Sequence, residues 1–147
     1  MSVSDTALGF KLSTTRARIT PHAGLALVRR MAQRLGVSAD LDRALGPLKR
    51  RRRGTSPAEQ ALDWVMMLTA GGQCGADLRL LRADCGAMDL LGHTGMAPRT
   101  GREFLARFDG AALDELSRVV GRCAARTAVE TGATTATLDV DATFVEA

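Results

Sequence analysis

From Thr20 onward the apolar residues recur in steps of three and four, the spacing of one face of a helix. Thr20-Pro21 is a start signal, a capping residue with proline at the first helical position. Leu27, Val28, Met31 and Leu35 then line one face, and Arg29, Arg30, Gln33 and Arg34 the other, up to a glycine cap at Gly36. Ser38 opens a shorter piece through Leu41 and Leu45, which Gly46-Pro47 stops. Ser56-Pro57-Ala58-Glu59 is a capping box. The helix it opens, through Trp64 to Leu68, is apolar almost all round and so belongs at the centre of the fold. Two short helices are expected over 76–83 and 86–91. Thr100-Gly101-Arg102-Glu103 reads as a second capping box, with Phe104, Leu105 and Phe108 inward. A long helix follows Asp109-Gly110, with Leu113, Leu116, Val120 and Cys123 on one face and Val119 and Ala124 beside it; Thr131-Gly132 ends it.

The period then changes to two. Ala136, Leu138, Val140, Ala142 and Phe144 fall on one side, and Thr137, Asp139, Asp141, Thr143 and Val145 on the other, which predicts a half-buried strand. The expected fold is mainly α, a helical region over 20–132 followed by a single β-strand within 133–147. Residues 1–19 read as a loose arm, where the alternation of Leu8, Phe10 and Leu12 allows a short strand. A lone strand leaves its backbone unpaired, so the expectation is that the chain is the front of something longer.

Length and composition narrow the partners. The 147 residues suit one domain with a tail, and 46% apolar residues suffice for a core. The formal net charge is +4, carried almost wholly by arginine, since Lys11 and Lys49 are the only lysines. Arginine suits bidentate phosphate contacts. With Trp64 and four phenylalanines as the only aromatics, stacking on single strands has little to work with, and duplex DNA is the better nucleic-acid reading. Cys74, Cys85 and Cys123 form no CxxC and are odd in number, so a reducing, cytoplasmic setting is expected, with the thiols as small apolar residues. A zinc site from Cys74, Cys85 and His93 has no recognisable spacing. The densest apolar run, 64–70, is far short of the roughly 18 residues a membrane span needs.

Two residues along a strand span about 6.6 Å, so Asp139 and Asp141 can face one pocket. Clustered carboxylates suit a hard cation such as Mg²⁺ or Mn²⁺, and two such ions can drive phosphodiester cleavage. That chemistry needs further carboxylates. A strand whose polar face meets water explains the same spacing.

The ordered series PHAGLALVRRMAQRLG, RRRRGTSPAEQALDWVMMLTAGGQC, DLRLLRAD, LLGH, REFLARFD and LDVDATFVEA resembles the DDE insertion-sequence transposases, in particular the thirteen-eighty family. The likeness runs from about Thr20 to the last residue. It implies a helical DNA-binding region and then the first strand of an RNase H-like core. On Asp141-Ala142-Thr143 it implies that Asp141 is the first catalytic acid and a ligand of Mg²⁺ or Mn²⁺, with Asp139 a secondary candidate on the same face. The family's second aspartate and its glutamate lie downstream, and Glu146 is too close to Asp141 to replace them. The expectation is therefore a transposase N-terminal portion that binds double-stranded DNA at terminal inverted repeats but is catalytically incomplete alone, as a monomer or a homodimer, without a membrane. A non-enzymatic DNA-binding regulator and an inert gene remnant are the rival readings.

For DNA contact the sequence offers the basic run Lys49, Arg50, Arg51, Arg52 and Arg53, which reads equally as a solvated linker. It also offers Arg99, Arg102 and Arg107, if 77–108 is a helix-turn-helix whose helix opened by Thr100 enters the major groove. An ordinary helical packing unit is the other reading of that segment. Arg118, Arg122 and Arg126 repeat every four residues, as on a soluble helix face.

Overall fold

A computed structural model describes residues 15–49, 53–135 and 137. Seven α-helices are present among them: α1 (Leu25–Arg34), α2 (Val37–Leu45), α3 (Pro57–Thr69), α4 (Leu78–Ala83), α5 (Cys85–Leu91), α6 (Pro98–Leu105) and α7 (Gly110–Thr131). Short 3-10 turns at Gly46–Leu48 and Gly75–Asp77 follow α2 and precede α4. No strand occurs among the described residues. The strand expected within 133–147 falls mostly on residues outside them, as does the alternation of Leu8, Phe10 and Leu12.

The capping chemistry of α3 and α7 follows the sequence. Ser56 Oγ accepts from the Glu59 N–H at 3.2 Å and the Glu59 carboxylate accepts from the Ser56 N–H at 3.2 Å, with Pro57 first in the helix. Asp42 of α2 adds a bond from the Ala58 N–H at 3.0 Å, so the start of α3 is fixed to α2. Losing such a cap costs about 1 kcal/mol. Asp109 caps α7 through the Ala112 N–H at 2.8 Å, and Gly132, in the left-handed region, ends it.

Two expected starts are displaced. Thr20 Oγ1 accepts from the His22 N–H, but residues 21–24 form turns and regular helix begins only at Leu25. Its inward face is consequently Leu25, Ala32 and Leu35 with Val28 part-buried, while Leu27 and Met31 are exposed. The capping box expected at Thr100 does not form. Pro98 opens α6, Thr100 lies inside it, and Glu103 pairs with Arg99 one turn back at 2.8 Å. Proline at the first position sets the helical φ two residues earlier than Thr100 could.

The helix α3 is the axis. Its C-terminal half, with Met66 and Met67, packs with Leu25, Leu78, Leu81, Met88, Leu91 and Met96. Its N-terminal half, with Ala58 and Leu62, packs with Leu41, Leu45, Phe104 and Val119. Trp64 touches both clusters. Each fully buried leucine or methionine contributes about 1.5–3 kcal/mol relative to exposure. Gly86 lets residues 18–20 cross closely over the start of α5, since a Cβ there would stand 2.8 Å from the Ile19 carbonyl oxygen. Arg18 holds the same segment by bonding both carboxylate oxygens of Asp89.

The long helix α7 is fastened to α2 by charge. Asp40, only 3% exposed, receives Arg126 Nη1 at 2.7 Å and Arg43 Nη1 at 3.2 Å, with Arg122 Nε 3.3 Å away. Arg126 Nη1 also donates to the Leu35 carbonyl at 2.6 Å, at the end of α1. Gly36 makes this approach feasible: its φ of 66° turns the chain between α1 and α2, and a Cβ there would press on Arg126 Nη1 at 3.2 Å. The arginine row of α7 is thus not a free solvent face. Arg122 and Arg126 are spent on Asp40, and Arg118 pairs with Glu115.

Desolvation by itself would raise the Asp40 pKa, but the bonds and charges of Arg126 and then Arg122 outweigh it and hold the carboxyl below its ordinary value. A depressed carboxylate lends stability that is present above the unfolded pKa, about 3.9, and is lost as pH falls through the folded value. Asp40→Asn is therefore expected to lower Tm at pH 7 and to flatten the loss of Tm on acidification. Thermal unfolding of both proteins from neutral pH to below the carboxylate range checks this; parallel acid profiles would show that Asp40 is not the group responsible.

Candidate nucleic-acid interface

The outward face of α6 presents basic side chains because its opposite face is taken by the core. Gly101 and Phe104 point inward, Phe104 packing edge-on to Phe108 with ring centroids 5.2 Å apart. Arg99 and Arg102, one turn apart, are consequently exposed. Glu103 shares their surface and holds Arg99 in an exposed ion pair, which solvent screens heavily. The Arg102 stem lies beside Gly75, so that side chain stands next to the turn leading into α4. The exposed arginines Arg79 and Arg82 of α4 had no motif to reveal them, and only folding shows that they face water.

Arg107 follows α6 and is half-buried. Its Nη1 reaches the Leu48 carbonyl at 3.5 Å, at the doorstep of the basic run. Lys49 Nζ reaches the Gly54 carbonyl at 3.4 Å, and Arg53 is exposed. The fold therefore brings Arg107 to Leu48, 59 residues away in sequence and next to Lys49. Arg50, Arg51 and Arg52 lie outside the described residues. α4, α5 and α6 follow one another as short helices, and α6 packs against α4 and the turn before it.

Asp139 and Asp141 lie outside the described residues, so their geometry and any Mg²⁺ or Mn²⁺ ligation are not seen. Among the described residues no three His, Cys, Asp or Glu side chains converge in a way that could hold a metal ion. No described helix is long and apolar enough to cross a membrane. The chain matches no protein-family description, no curated protein and no solved structure.

A second polar cluster is hidden in the sequence, because Asp63 sits in an otherwise apolar run. Asp63 of α3 is 1% exposed, and His93 Nε2, from the α5–α6 loop, stands 3.2 Å from its Oδ1. His93 Nδ1 accepts from the Gly95 N–H at 3.1 Å. His93 and the exposed Cys85 both border a surface pocket of about 530 Å³. The pair joins the α5–α6 loop to the central helix, with Asp63 sealed from solvent.

Burial pushes the Asp63 carboxyl above its ordinary pKa, against the opposing charge of His93. For a carboxylate raised on folding, stability is greatest below the unfolded pKa and declines as pH rises through the folded value. Asp63→Asn removes the buried charge while keeping the shape of the side chain. Its Tm is expected to exceed that of the parent at pH 7 and to converge with it near pH 4, by thermal unfolding; a lower Tm at pH 7 would mean that the ionised pair is net stabilising.

Proposed function

We propose that this chain is the N-terminal, DNA-binding portion of a DDE-type insertion-sequence transposase, acting on duplex DNA at terminal inverted repeats. The observation that carries the DNA-binding reading is the exposed Arg99–Arg102 face of α6, with Arg107 bonded to Leu48, the residue before Lys49. Arg107 thus brings a basic group of the α6 end to Leu48, next to Lys49 and distant in sequence, while Arg122 and Arg126 lie against Asp40. Arginine on a short exposed helix can donate to phosphate in forked geometry and to guanine edges in the major groove. The order of motifs along the chain supports the transposase part. In that reading Asp141, with Asp139 beside it, is the first acid of a catalytic set whose Mg²⁺ chemistry needs carboxylates beyond these two. A DNA-binding regulator that cuts nothing would use the same basic surface.

The 147-residue chain is expected to bind duplex DNA with strong salt dependence. Arg99→Ala with Arg102→Ala should weaken binding and flatten the log–log salt slope by about 0.9 for each phosphate that is no longer neutralised. Alanine at Arg50 to Arg53 should weaken all duplexes alike. Arg118→Ala, on α7 and away from the α6 surface, should leave binding unchanged. Fluorescence-anisotropy titrations at several salt concentrations decide it; absence of duplex binding, or equal weakening by Arg118→Ala, would remove the α6 surface as the reader.

A further inference from the structure

The basic face of α6 carries one acid, and helix stability does not account for it. Successive residues of a helix turn by about 100°, so Arg102, Arg99 and Glu103 fit within about 100° of its circumference, with Arg99 in the middle. Gly101 and Phe104 are buried on the far side, and all three charged residues are exposed. Glu103 stands in the last turn of the helix, where the backbone dipole disfavours a carboxylate. Its pair with Arg99 also runs in the weaker direction, with the base N-terminal to the acid. Exposed as it is, the pair adds little to folding. On a surface that only gripped phosphate, an acid in this place would subtract attraction. Yet it stays charged: the bond and charge of Arg99, then the charges of Arg107 and Arg102, hold the Glu103 carboxyl below its ordinary pKa.

We infer that Glu103 is a base-reading residue, which accepts a hydrogen bond from the N4 amino group of a cytosine in the major groove while Arg99 donates to O6 and N7 of a neighbouring guanine. The inference rests on the DNA-binding reading of α6 and adds the sequence feature that the helix recognises. A carboxylate has acceptors only, and the donors on the base edges of the major groove are the amino groups of cytosine and adenine. Adenine sets its N7 acceptor beside that amino group, where it repels the second carboxylate oxygen; cytosine presents the amino group alone. The Arg99–Glu103 bond, 2.8 Å long, joins Nε of the guanidinium to Oε1 of the carboxylate. It therefore spends neither terminal nitrogen of Arg99 and only one oxygen of Glu103. The fork that addresses guanine and the acceptor that addresses cytosine are held side by side, each ordering the other before DNA arrives. Arg102, at the edge of the face with its stem beside Gly75, is placed for phosphate.

Selection from a library of random-sequence duplexes with the full chain should enrich a motif that contains a fixed C·G pair. Fluorescence anisotropy should then show that exchanging this pair for another weakens binding by at least about tenfold. Glu103→Ala should cut that discrimination to below about threefold. It should at the same time tighten binding to mixed-sequence duplex, because a negative charge has left the surface. Glu103→Gln, which offers an acceptor and a donor together, should move the preference to adenine at the same position. The position is exposed, so helix content by circular dichroism should match the parent in both variants. Loss of helix in both would make Glu103 a structural residue and overturn the inference. If the chain binds duplex with no fixed base pair, or if Glu103→Ala keeps the full discrimination at every position, α6 reads nothing through Glu103; the inference falls and DNA binding stands. If no duplex is bound, the inference falls together with the reading it rests on.

Discussion

A single buried carboxylate decides how the longest described helix sits on the rest. Asp40 brings one negative charge to the α2–α7 contact, and Arg43, Arg122 and Arg126 surround it. Desolvating a carboxylate is tolerable only when charged donors replace its water. Here Arg126 does so with a nitrogen that also serves the Leu35 carbonyl, so one guanidinium fixes both the α2 surface and the end of α1. Lysine, a point charge without a planar fork, is a poor substitute for that geometry. The same contact settles which arginines remain for a polyanion. Arg122 and Arg126 of α7 are held against Asp40, whereas Arg102 of α6 and Arg53 before α3 are exposed.

The two apolar clusters meet at Trp64, and its neighbour Asp63 faces His93 of the α5–α6 loop. Arg29 Nη1 and Trp64 Nε1 are buried without a hydrogen-bond partner, and neither carboxylate oxygen of Asp63 gains one of good geometry. Met66, Met67, Met88 and Met96 share one apolar cluster, and their flexible thioethers adapt to an irregular wall where branched residues would not.

Much of the helical frame is legible in the residues, because its signals are local. The Ser56–Glu59 box, the Asp109 cap and the glycines at 36 and 132 stand where regular structure begins or ends. Facing is not legible in the same way. Leu27 and Met31 fit the helical period as well as Leu25 and Ala32 do, and only the position of α3 and α5 determines which pair is inside. Thr100 misleads because Pro98 holds the stronger claim to the first turn. The roles of Arg122 and Arg126 are hidden too, since their partner lies more than eighty residues away and an aspartate within α2 looks like any surface charge. Of the candidate basic residues, Arg99 and Arg102 are exposed on α6, whereas the bond from Arg107 to Leu48 is a tertiary fact. The two aspartates that carry the catalytic expectation lie outside the described residues.

The Arg126–Asp40 bond joins residues 86 positions apart, and the Arg126–Leu35 bond residues 91 apart. When a ribosome has delivered α1, α2 and α3, the arginines that satisfy Asp40 from α7 are still unmade or inside the exit tunnel. The α2 surface must then keep its carboxylate hydrated, and the faces of Leu41 and Ala44 that α7 will help to enclose stay wet with it. The N-terminal half therefore cannot reach its final packing during synthesis. It waits for α7, and closure of the domain becomes a late, long-range event in which one guanidinium displaces water from a carboxylate and a helix end together.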